Sequence, residues 1–134
     1  MKRVVVGIIS RKNTEGVEQY LLVSSKKYFG IFTGYYYPPG GHLEEGEEEV
    51  ACLKRELKEE LDLEVISCKK ITETPGDVQN QITSWYKCEV KTNELKPDHT
   101  ELEDAGYFSK EEIFKMKIWP ATKDFFEKHI FSKE

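Results

Sequence analysis

The chain has 134 residues, 38% of them hydrophobic and 34% charged, with five prolines and a formal net charge of -5. One domain over 1–134 is expected: a chain of this length buries most of its apolar surface without staples, and the composition excludes a disordered chain. Apolar runs such as Val4-Val5-Val6-Gly7-Ile8-Ile9 are too short to span a bilayer, and Met1-Lys2-Arg3-Val4 carries no leader-peptide pattern. A cytoplasmic protein with no membrane partner is therefore expected. Cys52, Cys68 and Cys88 are odd in number and lack C-x-x-C spacing, which argues against a disulfide framework and a zinc site and for free buried thiols.

In chain order, Val4 to Ser10 reads as an apolar strand ending in the polar turn Arg11-Lys12-Asn13-Thr14-Glu15-Gly16. Glu18 to Ser25 is its partner. Tyr28 to Tyr37 is rich in aromatic residues and interrupted by Gly30 and Gly34, so it reads as a loop feeding a short strand. Pro38-Pro39-Gly40-Gly41 breaks regular structure before a helix predicted from about Glu47 to Leu61. In that helix Val50, Leu53, Leu57 and Leu61 recur at three- and four-residue spacing and form one apolar stripe.

Glu64 to Thr74 and Asn80 to Val90 read as strands joined by the turn Pro75-Gly76-Asp77, with Ile82, Ser84, Tyr86, Cys88 and Val90 sharing one face. Leu102 to Phe108 is a further strand. Ser109-Lys110-Glu111-Glu112 is a capping box opening a helix to about Met116. Trp119-Pro120 starts a last helix with Phe125, Phe126 and Ile130 facing inward. The order of strands, helix, strands and helix makes the fold class α+β.

Charge is concentrated in the first predicted helix and the turn before it. From Gly41 to Glu64, nine Glu and one Asp stand against Lys54, Arg55 and Lys58, a local net charge of -7. Such a patch repels nucleic-acid backbones unless cations intervene, so no stable nucleic-acid partner is expected. It is either a solvated face or a place that collects metal ions. At about 100° per residue, Glu56 and Glu60 lie nearly above one another, with Glu59 beside them and Glu49 two turns earlier on the same side. This flank adjoins the leucine stripe. Like charges so close destabilise a helix alone, and Mg²⁺, or Mn²⁺ as an alternative, would neutralise them.

Gly41, Glu47, Arg55, Glu56, Leu57, Glu59, Glu60 and Leu63 fall on the pattern G-x5-E-x7-R-E-U-x-E-E-x-G-U, where U is a bulky aliphatic residue. The segment resembles the Nudix box, with Asp62 in place of the second glycine. That glycine would end the helix in a left-handed conformation, which aspartate tolerates at a cost of about 1 kcal/mol or less.

The resemblance implies a Nudix-type α/β/α sandwich with a mixed β-sheet between helices. It also implies Mg²⁺-dependent hydrolysis of a nucleoside diphosphate linked to another moiety. On that resemblance Glu56, Arg55 and Glu59 form the catalytic set, Glu56 as a candidate base and Arg55 orienting a carboxylate beside Glu47. The expected metal ligands are the Gly40 carbonyl, Glu56, Glu59 and Glu60. Glu101 is a further candidate from outside the box, with Glu103 as its alternative.

The short, MutT-like length suits nucleoside or deoxynucleoside triphosphates, cleaved to monophosphate and pyrophosphate. Dinucleoside polyphosphates, nucleotide sugars or ADP-ribose are the alternative substrates. A catalytically silent nucleotide-binding module is the reading from another class, and the intact Arg55, Glu56, Glu59 and Glu60 argue against it. Tyr35, Tyr37 and Lys26 are the candidate substrate contacts, Tyr35 and Tyr37 sharing one face by alternation. Trp85 and Trp119 are expected to pack. A monomer or homodimer is expected.

Overall fold

The first apolar run is not one strand. It divides at Ile9 into β1 (Lys2–Ile8) and β2 (Ser10–Lys12), so Arg11 and Lys12 belong to a strand and not to the expected turn. Each half joins a different sheet of the computed structural model, which describes residues 1–133. Glu134, included in the single unit expected from the sequence, lies outside the described residues.

β3 (Glu18–Ser25) runs antiparallel to β2, and a 3-10 turn at Gly30–Phe32 precedes the two-residue β4 (Tyr36–Tyr37). The Pro-Pro-Gly-Gly stretch does not simply break structure. It leads into an edge strand, β5 (Gly40–His42), antiparallel to β1. Helix α1 (Glu49–Leu61) follows, then β6 (Val65–Pro75), β7 (Gln81–Val90) and β8 (Leu102–Ser109). Two short helices close the order, α2 (Lys110–Lys115) and α3 (Pro120–Phe125), the latter continuing as π-helix over Phe126–Ile130. The predicted capping box opens α2: Ser109 Oγ accepts from the Glu112 amide, and Glu112 Oε1 accepts from the Ser109 amide.

The first sheet runs β5-β1-β7-β6 and is mixed, because β1 and β7 are parallel while the other pairs are antiparallel. In the second, β3 pairs antiparallel with β2, β4 and β8. Side-chain alternation sends successive residues to opposite layers. Val5, Ile9, Leu21, Val23, Tyr86 and Cys88 pack with Leu53, Leu57 and Leu61 of α1. Val6, Ile8, Tyr20, Leu22 and Trp85 pack with Ile113, Phe125 and Phe126 on the other side. The fold is therefore the expected α/β/α sandwich, with two sheets between the helices where the sequence reading had one. Covered on both faces, β7 is buried continuously from Thr83 to Tyr86, not only on alternate residues. Each fully buried leucine or phenylalanine contributes about 1.5–3 kcal/mol.

Helix α1 begins two residues later than predicted because Glu47 is held in the preceding turn, where Oε1 accepts from the Glu44 amide. At its other end Asp62 takes φ 55° and ψ 38°, and its amide donates to the carbonyls of Leu57 and Lys58. The Asp62 carboxylate also meets Lys58 Nζ at 2.6 Å. Asp62→Gly trades that ion pair for an unstrained backbone, so differential scanning should show a Tm change within about 4 °C. A much larger shift would contradict the tolerance argued for aspartate here.

Candidate active site

Burial of the leucine stripe fixes the rotation of α1 and brings the next face to the edge of the core. Glu60 on that face is only 6% exposed. Burial, then the adjoining Glu56, then Glu101 and Glu59, push its carboxyl up to about 9. Glu101 arrives through a relay of backbone bonds. The Glu60 carbonyl accepts from the Asp98 amide at 2.8 Å, and the Asp98 carbonyl from the Glu101 amide at 3.1 Å. The Glu101 carbonyl in turn accepts from the Lys26 amide at 3.0 Å. Glu103 lies elsewhere: its charge acts on Tyr36, whose ring packs in the opposite layer.

The glycine turn makes room for Glu56. A Cβ on Gly41 would stand 2.4 Å from Glu56 Cδ, so this carboxyl rests directly on backbone. Arg55 ties the turn before α1 to the helix itself. Its Nε and one terminal nitrogen donate to Glu47 at 2.8 and 3.0 Å, while the other terminal nitrogen donates to Glu56 Oε1 at 2.8 Å. Those bonds hold the Glu47 carboxyl down at about 2. Glu59 is exposed, 3.6 Å from the same arginine. Glu49 does not join this flank. Ser84, Tyr86 and Lys70 turn it toward the first sheet, because β7 presents those hydroxyls to the start of α1.

A cleft of about 820 Å³ opens over these groups. Of the residues expected at the site, it is lined by Gly40, Glu56, Glu60, Glu101, Tyr37 and Lys26. Arg55 and Glu59 are not among the residues that line it. Burial and the nearby Glu60 raise the Tyr37 phenol to about 12, so it stays protonated. Tyr35 departs from the expectation. It precedes β4, so strand alternation does not pair it with Tyr37, and its ring packs edge-on against Phe32 away from the cleft.

Trp119, expected only to pack, lines the cleft beside Phe29. It stacks on Phe32 at 4.7 Å and meets Phe29 edge-on at 5.4 Å. Its amide donates to the Tyr36 carbonyl, and Asp77 Oδ1 accepts from the Ala121 amide at 2.9 Å, fixing this wall to the β6–β7 hairpin. The available signal was its place just before Pro120, outside the apolar stripe of the last helix. Trp85, by contrast, is a packing residue stacked flat on Phe125 at 4.0 Å, and one edge of it also reaches the cleft.

Among the described residues, no three carboxylate, imidazole or thiol groups stand arranged to enclose an ion. The donors nevertheless fit a hard divalent cation by their chemistry. Burial and the adjoining Glu56 make a charge on Glu60 costly unless a cation joins it, and oxygen donors suit Mg²⁺.

The model of the NUDIX domain matches residues 1–129 of the chain. The chain belongs to the Nudix family. Among curated Nudix relatives, the NAD-capped RNA hydrolase NudC of Vibrio vulnificus is 31% identical over 81 residues, 60% of this chain and 31% of that protein. The chain thus spans just under a third of the length of the curated relatives it matches. The NUDIX domain of Shewanella oneidensis NrtR, solved with ADP ribose, superposes with a TM-score of 0.81 at 14% identity, covering 98% of this chain and 88% of that one. The MutT protein from Methanosarcina mazei Go1 gives 0.79 at 20% identity, over 99% and 95%. These likenesses show that the fold is that of Nudix domains.

Proposed function

We propose that this Nudix chain hydrolyses a nucleoside diphosphate linked to another moiety, with a nucleoside or deoxynucleoside triphosphate as the first expected substrate. One observation carries the reading. Glu56, Glu101 and Glu59 all bear on the buried Glu60 carboxyl at the edge of a cleft shared with the glycine turn. A solvated acidic face would not bury its central carboxyl. Gly40, Glu56, Glu59, Glu60 and Glu101 would hold Mg²⁺, or Mn²⁺ in its place. Such a cation, when bound, neutralises charge on the phosphate oxygens.

The chain's own residues supply orientation and a proton acceptor. Arg55 turns Glu56 into the cleft, where it takes the proton of a water that attacks phosphorus as the bridging P–O bond breaks. Lys26 at the rim draws the polyphosphate, and Tyr37 donates to a phosphate oxygen. Trp119 and Phe29 offer ring faces to the base. A cytoplasmic location, and a monomer or homodimer, belong to the same reading. Among the described residues no helix is long and apolar enough to cross a membrane.

The deciding experiment incubates the protein and Mg²⁺ with a panel of nucleotides and separates the products. Monophosphate and pyrophosphate from a triphosphate support the proposal. Cleavage of dinucleotides or nucleotide sugars alone would favour the second reading, which the match to NAD-capped RNA hydrolases also supports. Binding without turnover of any nucleotide would leave a silent module. Trp119→Ala should raise KM about tenfold, the worth of one base stacking on a ring, with kcat little changed. Steady-state kinetics would reject that role if KM stayed the same.

A further inference from the structure

The site leaves unused a pair of thiols on β6 and β7. Cys68 lies directly opposite Cys88 in the antiparallel register, and their sulfurs stand 3.5 Å apart. Opposed residues of such a pair have Cα atoms about 4.5–5.5 Å apart, within the separation a disulfide spans. Closing the sulfurs to about 2.05 Å needs rotation about the Cα–Cβ bonds and no slippage of either strand. The two positions also differ in access. Cys88 is 4% exposed beneath α1, in space that a Cβ on Gly7 would invade to within 3.1 Å of its sulfur. Cys68 is half-buried on β6, the edge strand of its sheet, where a small molecule can reach it.

We propose that Cys68 and Cys88 are a redox modification site, joined reversibly as an intrachain disulfide when the protein meets a hydroperoxide. The Cys68 sulfur attacks the peroxide, the O–O bond breaks, and Cys68 becomes a sulfenic acid while the thiol proton leaves with the departing oxygen. The Cys88 sulfur then displaces hydroxide from Cys68, and the Cys88 proton leaves with it as water. Two thiols together lose two electrons and the peroxide gains two. A small dithiol reverses the bond by exchange. Burial and the neighbouring Cys68 hold the Cys88 thiol well above its ordinary range, so it is not the first to meet the peroxide, and its place 3.5 Å from the Cys68 sulfur lets it resolve the sulfenic acid.

Cys52 supplies an internal control, since it sits on α1 with its sulfur 3.5 Å from the His42 carbonyl and no thiol beside it. The test exposes the full chain to mild hydrogen peroxide, then denatures it, labels free thiols with a maleimide and measures intact and peptide masses. Oxidised wild type should take one label, on Cys52, and lose two hydrogens through a Cys68–Cys88 peptide link. Dithiothreitol should restore three labels. Cys68→Ala, at the half-buried position where folding is least disturbed, should keep both remaining thiols free. Three labels on oxidised wild type would overturn the proposal. So would Cys68 oxidised to sulfinic acid with Cys88 still free, or a cross-link found only between chains on a non-reducing gel.

Discussion

Glu60→Gln lowers turnover roughly a hundredfold or more, the worth of one preorganised electrostatic group, and at the same time stabilises the metal-free protein at neutral pH and above. The two effects have one cause. In the fold the Glu60 carboxyl keeps its proton up to about 9, against an ordinary value of 4.5. Between those values the folded state holds a proton that the unfolded chain has released. Stability therefore falls as pH rises through this window, by at most about 1.4 kcal/mol per pH unit. Glutamine is nearly isosteric, carries no charge and removes the slope.

Urea unfolding at pH 5, 7 and 9 in the presence of a chelator, for both proteins, measures it. Saturating Mg²⁺ should flatten the wild-type slope, because the counter-charge replaces the proton. A wild-type stability that stays level from pH 5 to pH 9 without metal would mean that Glu60 is ionised in the fold, and the account of the site would fail.

Gly40→Ala and Gly41→Ala, neighbouring and chemically identical, separate folding from catalysis. At Gly40 the new Cβ would lie 2.0 Å from the Val5 carbonyl oxygen and 2.7 Å from Val6 Cα. Both atoms belong to the backbone of β1, which is clamped between two helical layers and cannot yield. The expected cost is roughly 3 kcal/mol, as in severe overpacking, with loss of the β5–β1 pairing. At Gly41 the obstructing atoms are the Glu56 carboxyl, the free end of a side chain, which can swing aside. The fold should stay within about 1 kcal/mol of wild type while activity falls about a hundredfold through misplacement of Glu56. Thermal unfolding and kinetics on the two variants decide it. Equal losses of stability would show that Gly41 serves the fold and not the carboxylate.

The elements legible in the sequence are those whose cause is local. The leucine stripe of α1, the Ser109–Glu112 cap, the strand Glu18–Ser25 and the proline that opens α3 each depend on spacings of a few residues. The errors occur where a distant partner intervenes. The apolar start of the chain divides at Ile9 because its two halves join different sheets. Gly40–His42 becomes a strand only because β1 lies beside it. Glu49, on the same flank as Glu56 and Glu60 by helix geometry alone, is drawn off by Ser84 and Tyr86, 35 and 37 residues away.

The same division runs through the site. The sequence by itself determined the Nudix membership, the helix that carries Arg55, Glu56, Glu59 and Glu60, and the face on which Glu56 and Glu60 lie, because helix periodicity turns spacing into direction. Only the tertiary structure decided which other residues join them. The relay from Glu60 through Asp98 and Glu101 to Lys26 joins three separate segments. Trp119 reaches the cleft wall through Tyr36 and the Asp77 hairpin, and Cys68 meets Cys88 through strand register. Each depends on contacts between residues far apart in the chain, which no local pattern records.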